Sequence, residues 1–202
     1  MLTIALPKGR IGEDSLKIFE KIFNKKFVFE DRKLILEEKP FKFLLVRNQD
    51  VPVYVLHQAA DLGIVGLDVL EEQNLDIVKL LDLGIGKCKV SIGVKNGDKL
   101  DYNKPDMVIA SKMENITRNY FLNKAIAVKV IKLYGSIELA PLVNLCDAIV
   151  DIVETGATMK QNGLSVVEDI MSSSAHLIAN KNSFIEKKED ILCLYQSISK
   201  VI

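Results

Sequence analysis

Residues 149–158 read IVDIVETGAT, an apolar run that carries one acid and ends in a turn of Gly and hydroxyl residues. Val and Ile favour a buried strand, whereas Thr-Gly-Ala-Thr favours a turn that opens a helix. Backbone N–H groups at a helix start lack intrahelical partners and converge, and the helix adds about half a positive charge there, so such a turn suits a phosphate. Thr155 and Thr158 can add hydroxyl donors, and Gly156 allows close approach or a positive φ. Asp151 lies four residues before Thr155. A carboxylate repels a phosphate, so it would sit beside the anion, accepting hydrogen bonds from sugar hydroxyls or helping to hold Mg²⁺. The implied order is phosphate, then ribose. The same tetrapeptide also occurs as an ordinary strand-to-helix turn with a capping Thr.

Other polar clusters follow apolar runs. Leu6-Pro7-Lys8-Gly9-Arg10 would bring Lys8 and Arg10 to a carboxyl strand end, where open α/β sheets place ligands and where cations suit an anion. Arg47-Asn48-Gln49-Asp50 occupies an equivalent place, and the segment from Asp61 to Asp68 is a third, so these polar strand ends could line one cleft. Asp50 reads as a helix N-cap, while Arg47 has no obvious local partner. Gly63 and Gly66 flank a strand and could admit a nucleotide or simply make turns. His57 and His176 stand apart from any Cys or Ser nucleophile motif and read as structural. Neither G-x-x-x-x-G-K-[ST] nor G-x-G-x-x-G occurs, which argues against a P-loop enzyme or an ordinary dinucleotide binder.

The elements that must position these groups are those of an α/β protein. The chain has 202 residues, 49% hydrophobic and 27% charged, enough for one substantial domain or two small lobes. Lys+Arg and Asp+Glu both number 27, and the basic residues are scattered, so nucleic acid is not an expected partner. Cys88, Cys146 and Cys193 are far apart, without a CxxC or a His cluster, and read as reduced core residues. The N-terminus lacks a basic leader and no segment approaches a membrane span, so a cytoplasmic protein is expected.

Strands are expected at 2–6, 42–46, 62–65, 87–94, 107–110, 127–133, 148–153 and 175–179, with helices at 11–23, 51–60, 67–74 and 184–201. Alternation of apolar runs with helical stretches predicts mostly parallel sheets covered by helices. The polar, turn-rich segment 94–105 is the candidate passage into a second lobe. The expected division is 1–90 with 175–202 as a discontinuous lobe I and 91–174 as lobe II, with a cleft at the crossing.

Assembled, the segments resemble the ATP phosphoribosyltransferase family in its short catalytic-subunit form. The matching pieces are LPKGRI at 6–11, DRKLI at 31–35, RNQDVPVYV at 47–55, AADLGIVGLDVL at 59–70, KLYGSIELAP at 132–141 and DAIVDIVETGATMKQNGL at 147–164. The resemblance implies a two-lobed fold like the type II periplasmic binding proteins, with 5-phosphoribosyl-1-pyrophosphate and ATP in the interlobe cleft. It implies that Thr155, Gly156, Ala157 and Thr158 hold the 5-phosphate, that Asp151 and Glu138 face the ribose hydroxyls and help hold Mg²⁺ together with substrate oxygens, and that Lys8, Arg32 and Arg47 surround the pyrophosphate as catalytic cations. Arg10, Gly66 and Asp68 fall on the nucleotide side. The chain departs from the family's usual pattern at Gln58 and Asn144, where Gly is common, at Cys146 for Ala and at Met159 for Leu.

The resemblance further implies attack by N1 of ATP on the anomeric carbon, expelling pyrophosphate in the first step of histidine biosynthesis. It implies a separate regulatory subunit similar to histidyl-tRNA synthetase, since no room remains after the terminal helix for a histidine-sensing domain, and a homodimer within a hetero-oligomer. Two rival readings remain: a non-catalytic small-ligand-binding module of the same two-lobed architecture, and a phosphoribosyltransferase acting on a free base. Most enzymes of the latter kind carry two adjacent acids before the Thr-Gly turn, whereas Asp151 is followed by Ile152.

Overall fold

Alternation along the strands explains the first sheet. In β1 (Leu2–Pro7), Leu2, Ile4 and Leu6 join one buried cluster while Ala5 joins another on the opposite face. Ile64 and Val65 in β4 (Leu62–Gly66), and Leu177 and Ile178 in β11 (Ala175–Ala179), divide the same way. Both faces of the sheet are therefore covered. Helices α1 (Arg10–Phe23) and α7 (Lys188–Ser199) supply Phe19, Ile191, Leu194 and Ile198 to the first cluster. Helices α2 (Val51–Leu56) and α3 (Leu67–Gln73) supply Val51, Val55, Val69 and Leu70 to the second.

The computed structural model describes residues 1–202 and contains two units. Unit 1 comprises Met1–Leu70, Asn74–Gly86 and Ser174–Ile202; unit 2 comprises Glu71–Gln73 and Lys87–Ser173. The sheet of unit 1 adds β2 (Ile35–Glu38), β3 (Phe41–Val46) and β5 (Val78–Asp82) in the order β2-β3-β1-β4-β11-β5. Unit 2 holds β6 (Cys88–Lys95), β7 (Met107–Ser111), β8 (Val128–Lys132), β9 (Ala148–Val153) and β10 (Leu164–Ser173) in the order β10-β6-β9-β7-β8. It also holds α4 (Glu114–Asn123) and α5 (Ala157–Gln161). Ile109 and Val150 face one buried cluster, and Ala110 and Ile149 face the other, which Met159 of α5 completes.

The expected α/β class holds, but both sheets are mixed rather than mostly parallel. The trio β3-β1-β4 inside the first sheet and the trio β9-β7-β8 at one side of the second are parallel. Antiparallel partners flank them: β2 on β3, β11 on β4 and β5, β6 on β9 and β10 on β6. The segment 94–105 does not cross between units; it joins β6 to β7 within unit 2. The expected helix 184–201 is broken into α6 (Lys181–Glu186) and α7 at Lys187, whose side chain reaches Asp61 instead. Asp50 stands at the N-cap position of α2 without a side-chain capping bond, because a 3₁₀ turn over Asn48–Asp50 already leads into the helix. Gln58 and Asn144, the positions where the resembled family commonly has Gly, both take a left-handed backbone, with φ of 58° and 57°.

Candidate functional site

Strand β9 delivers Asp151 with a partly exposed side chain, and the chain then turns through Glu154-Thr155-Gly156 into α5. Gly156 has φ 75°, a left-handed conformation, and a Cβ there would meet only Val153 Cγ1 at 3.9 Å, an ordinary van der Waals contact. The glycine is thus required by the backbone angle rather than by crowding. Residues 152–159 line a hollow of ≈ 260 Å³ made by the turn itself. That lies below the roughly 300–1,000 Å³ of drug-sized ligand sites, a scale that suits a small fragment such as a sugar phosphate. The amide of Ala157 makes only a long contact of 3.4 Å with Thr155 Oγ1. Helix α5 has only five residues, so any anion at this turn would be held by amide donors rather than by a macrodipole.

Beneath the turn, Met159 packs over Gly93 of β6, where an added Cβ would come within 2.9 Å of the methionine sulfur. Met159 is buried, so the departure from Leu at this position keeps an apolar anchor under the loop. Glu138 sits half-buried in a 3₁₀ turn over Ile137–Leu139, beyond the carboxyl end of β8. Because β7, β8 and β9 are parallel, Glu138 and Asp151 belong to the same edge of the unit 2 sheet.

Sequence reasoning passed over Lys112, whose Nζ lies 3.1 Å from Asp151 Oδ1. The signal was available: Lys112 directly follows an apolar strand, as Lys8 follows β1. Asp151 Oδ1 also accepts the Ile152 amide at 2.8 Å. A second hollow of ≈ 550 Å³ opens near the amino end of β7 and is lined in part by Asp98, Asp101, Asp106 and Asp147. Lys99 and Lys104 also line it, but the four carboxylates outnumber them, and a net acidic rim is the wrong sign for a phosphate.

In unit 1, strand register gathers the expected cations. Pro7 pairs with Val46, and the Lys8 amide bonds to the Val46 carbonyl at 2.8 Å, which sets Lys8 and Arg47 side by side at the carboxyl ends of β1 and β3. β2 runs antiparallel to β3, and Leu45 N donates to Leu34 O, so the turn bearing Arg32 reaches the same edge. Lys8, Arg32 and Arg47 are all exposed there. Arg10 opens α1, and Gly66 ends β4, the other parallel neighbour of β1. Asp68, in the first turn of α3, is only 5% exposed, unlike an open ligand contact.

Asp61 does not share that edge. It precedes β4 at the amino end, and it is structural: Thr3 N, Ser183 Oγ and Lys187 Nζ all donate to it at 2.8 Å. His57 is exposed at the end of α2, and His176 Nδ1 lies 3.1 Å from the Ser174 carbonyl. No group of three or more His, Cys, Asp or Glu side chains could hold a metal ion by itself. No helix is long and apolar enough to cross a membrane.

Two mixed sheets, with a Gly-turned loop beyond an acid-bearing strand in one and a row of cations at the strand ends of the other, define an α/β protein with polar groups gathered at the carboxyl ends of its parallel strands. The sequence matches the HisG family, ATP phosphoribosyltransferase, over residues 47–200. It is similar to the ATP phosphoribosyltransferase of Campylobacter fetus subsp. fetus, 67% identical with 100% of both chains covered. It is also similar to that of Campylobacter curvus, 68% identical over 100% of this chain and 98% of the relative. Among solved structures, the Thermotoga maritima ATP phosphoribosyl transferase (HisG:HisZ) complex superimposes with TM-score 0.87 at 32% identity, covering 100% of this chain and 98% of that one. The periplasmic aliphatic sulphonate binding protein SsuA of Escherichia coli shares the fold, with TM-score 0.63 at 14% identity over 98% of this chain and 71% of that one. The chain belongs to the ATP phosphoribosyltransferase family, and so to the pentosyltransferases.

Proposed function

We propose that this chain is the catalytic subunit that transfers the 5-phosphoribosyl group of 5-phosphoribosyl-1-pyrophosphate to N1 of ATP, releasing pyrophosphate in the first step of histidine biosynthesis. The observation that carries this reading is the Thr155–Thr158 turn, with its own hollow, beyond the strand that bears Asp151, in a chain of this family. The turn would bind the 5-phosphate, and Asp151 and Glu138 would orient the ribose through its hydroxyls.

N1 of adenine is a weak base that needs no deprotonation before it attacks, so the reaction requires no dedicated general base; positioning supplies much of the rate. As the bond to the anomeric carbon lengthens, positive charge grows on the ribosyl ring and negative charge on the departing pyrophosphate. Lys8, Arg32 and Arg47 would stabilise the leaving oxygens, the setting in which preorganised charge contributes most. Arg10 and Gly66 would serve the nucleotide, with Asp68 held inside α3 as a support for that turn.

Mg²⁺ fits this donor set as a substrate-borne ion. The protein offers the separate carboxylates of Asp151 and Glu138 rather than a cage, and Mg²⁺ usually keeps several waters and binds through one or two carboxylates plus substrate phosphates. Such an ion would neutralise pyrophosphate charge. The T. maritima relative was solved in a HisG:HisZ complex, which supports a HisZ-like regulatory subunit as partner here in a hetero-oligomer; a dimer of this chain within it is part of the same proposal. A cytoplasmic location fits a biosynthetic enzyme of this kind.

The direct test mixes the purified chain with ATP, 5-phosphoribosyl-1-pyrophosphate and Mg²⁺, with and without the regulatory subunit, and follows adduct formation. Tight binding of either substrate without turnover under both conditions would replace this reading with that of a non-catalytic binding module.

A further inference from the structure

The turn assigned to a phosphate is framed by acids. Glu154 lies in the turn itself, Asp151 precedes it on β9, and Glu138 belongs to the same sheet edge of unit 2, while the turn contains no cation before Lys160 in the last turn of α5. A phosphate carrying nearly two negative charges gains little from such surroundings unless a positive charge offsets them. Lys112 is the cation that the fold delivers.

Its placement is enforced from both sides. Ser111 is fully buried in register with Val150, the residue before Asp151, and its hydroxyl donates to the Val150 carbonyl at 2.7 Å. The same hydroxyl accepts the Met113 amide at 2.9 Å, and Met113 is itself buried. Lys112 is thus bracketed by anchored residues that tie the end of β7 to β9, and its ammonium reaches Asp151 Oδ1 at 3.1 Å. The Ile152 amide bonds the same oxygen. With both contacts on Oδ1, the carboxylate is fixed and Oδ2 is left for a ligand. A partly exposed ion pair adds little to stability on its own, so a purely structural role gives no reason for this much anchoring.

We propose that Lys112 is a positioning residue for the phosphoribosyl substrate: it holds Asp151 as an oriented anion with Oδ2 presented to the ribose hydroxyls and offsets the acidic frame of the phosphate turn. The assignment rests on the phosphoribosyl reading of that turn. It makes Lys112 specific to one substrate, since neither its charge nor its partner belongs to the residues assigned to ATP.

The test uses the full chain and five variants, Lys112→Met, Lys112→Arg, Asp151→Asn, Thr158→Ala and the double variant of Lys112→Met with Asp151→Asn, each checked for an unchanged thermal unfolding midpoint. Affinity for 5-phosphoribosyl-1-pyrophosphate is read by calorimetry, and KM for each substrate by adduct formation. K112M is expected to weaken phosphoribosyl pyrophosphate binding about tenfold or more while KM for ATP stays within twofold, the ratio expected when one charge-assisted contact is lost. K112R should recover most of the loss, and K112M combined with D151N should cost less than the product of the single effects, because the two act through one contact. A loss below threefold in K112M, an equal loss in K112R, or independent effects of K112M and D151N would overturn the proposal. If T158A weakens binding while K112M does not, Lys112 alone is misassigned. If neither does, the phosphate lies elsewhere and the reading of the turn fails with it.

Discussion

At the scale of single residues, the turn after β9 concentrates the most testable chemistry. A hydrogen bond to a charged group contributes about 1.5–3 kcal/mol. Thr158→Ala should therefore weaken 5-phosphoribosyl-1-pyrophosphate binding by roughly tenfold or more, with little change in ATP affinity, in calorimetry with each substrate separately. Unchanged affinity would move the phosphate away from this hydroxyl. Gln58 and Asn144 make a different point, since each holds a left-handed φ where the resembled family commonly has Gly. That conformation costs a residue with a Cβ about 1–2 kcal/mol, and only Asn and Asp ease it through local hydrogen bonds. Replacing Gln58 by Gly removes this strain but loosens the unfolded chain by about 0.4–1 kcal/mol, so the variant should gain roughly 0.5 kcal/mol. Asn144→Gly should gain less, because Asn already tolerates the turn. Denaturant melts of both variants would show the order, and a larger gain at Asn144 would contradict the strain argument.

At the scale of elements, the strands that position the site were legible because they are apolar and bounded by punctuation: the observed limits of β9 and β11 are those expected. Three of the antiparallel strands that make the sheets mixed were not. β2, β5 and β10 are edge strands whose outer faces meet solvent, so polar residues such as Glu37, Lys79 and Asp169 interrupt their apolar pattern. Helix α4 escaped because its run, ENITRNYFLN, buries only Ile116, Thr117 and Phe121, too few to mark a stripe. In the site, residues at strand ends were readable from type and spacing. Lys112 was readable as a cation after an apolar strand, but its pairing with Asp151 was not, because that depends on a cross-strand neighbour and register is not written in local sequence. The contact of α1 with β1 shows the same limit. Gly12 looks like an ordinary helical glycine, yet an added Cβ would lie 2.0 Å from the Pro7 carbonyl oxygen. A backbone atom cannot swing away as a side chain can, so Gly12→Ala must displace the helix that follows Lys8. We expect a loss of about 3 kcal/mol, at the upper end of overpacking costs, together with impaired turnover because Lys8 and Arg10 flank the displaced turn. A chemical melt within 0.5 kcal/mol of the parent, a rough threshold for a neutral surface change, would show that α1 packs less closely.

At the scale of the whole molecule, unit 1 is built from the two ends of the chain, and one carboxylate ties them. Asp61 accepts from Thr3 in β1 near the start and from Ser183 and Lys187 in the returning C-terminal segment. Burial pushes its pKa up, but the Lys187, Thr3 and Ser183 hydrogen bonds and the Lys187 charge outweigh that effect, so the carboxyl titrates below its ordinary 3.8. A group depressed in the folded state protonates more readily when unfolded. Its stabilisation is complete above pH 3.8 and disappears as pH falls through the lower folded value. Unit 2 has its own acid-sensitive carboxylate in Glu168, which Lys124 and the hydroxyls of Tyr102 and Tyr120 hold down to about 2, so its contribution fades between pH 4.5 and about 2. The two titrations separate by variant. Asp61→Asn should cost about 2 kcal/mol at pH 7, less than the 3–5 kcal/mol of a fully buried pair because Lys187 is partly exposed. That deficit should shrink as pH drops below 3.8, while a Glu168→Gln chain loses its own deficit from pH 4.5 downward. Urea unfolding at stepped pH reads both curves. A D61N deficit that stays constant from pH 7 to pH 2.5 would mean that packing around residue 61, and not its charge, joins the chain ends.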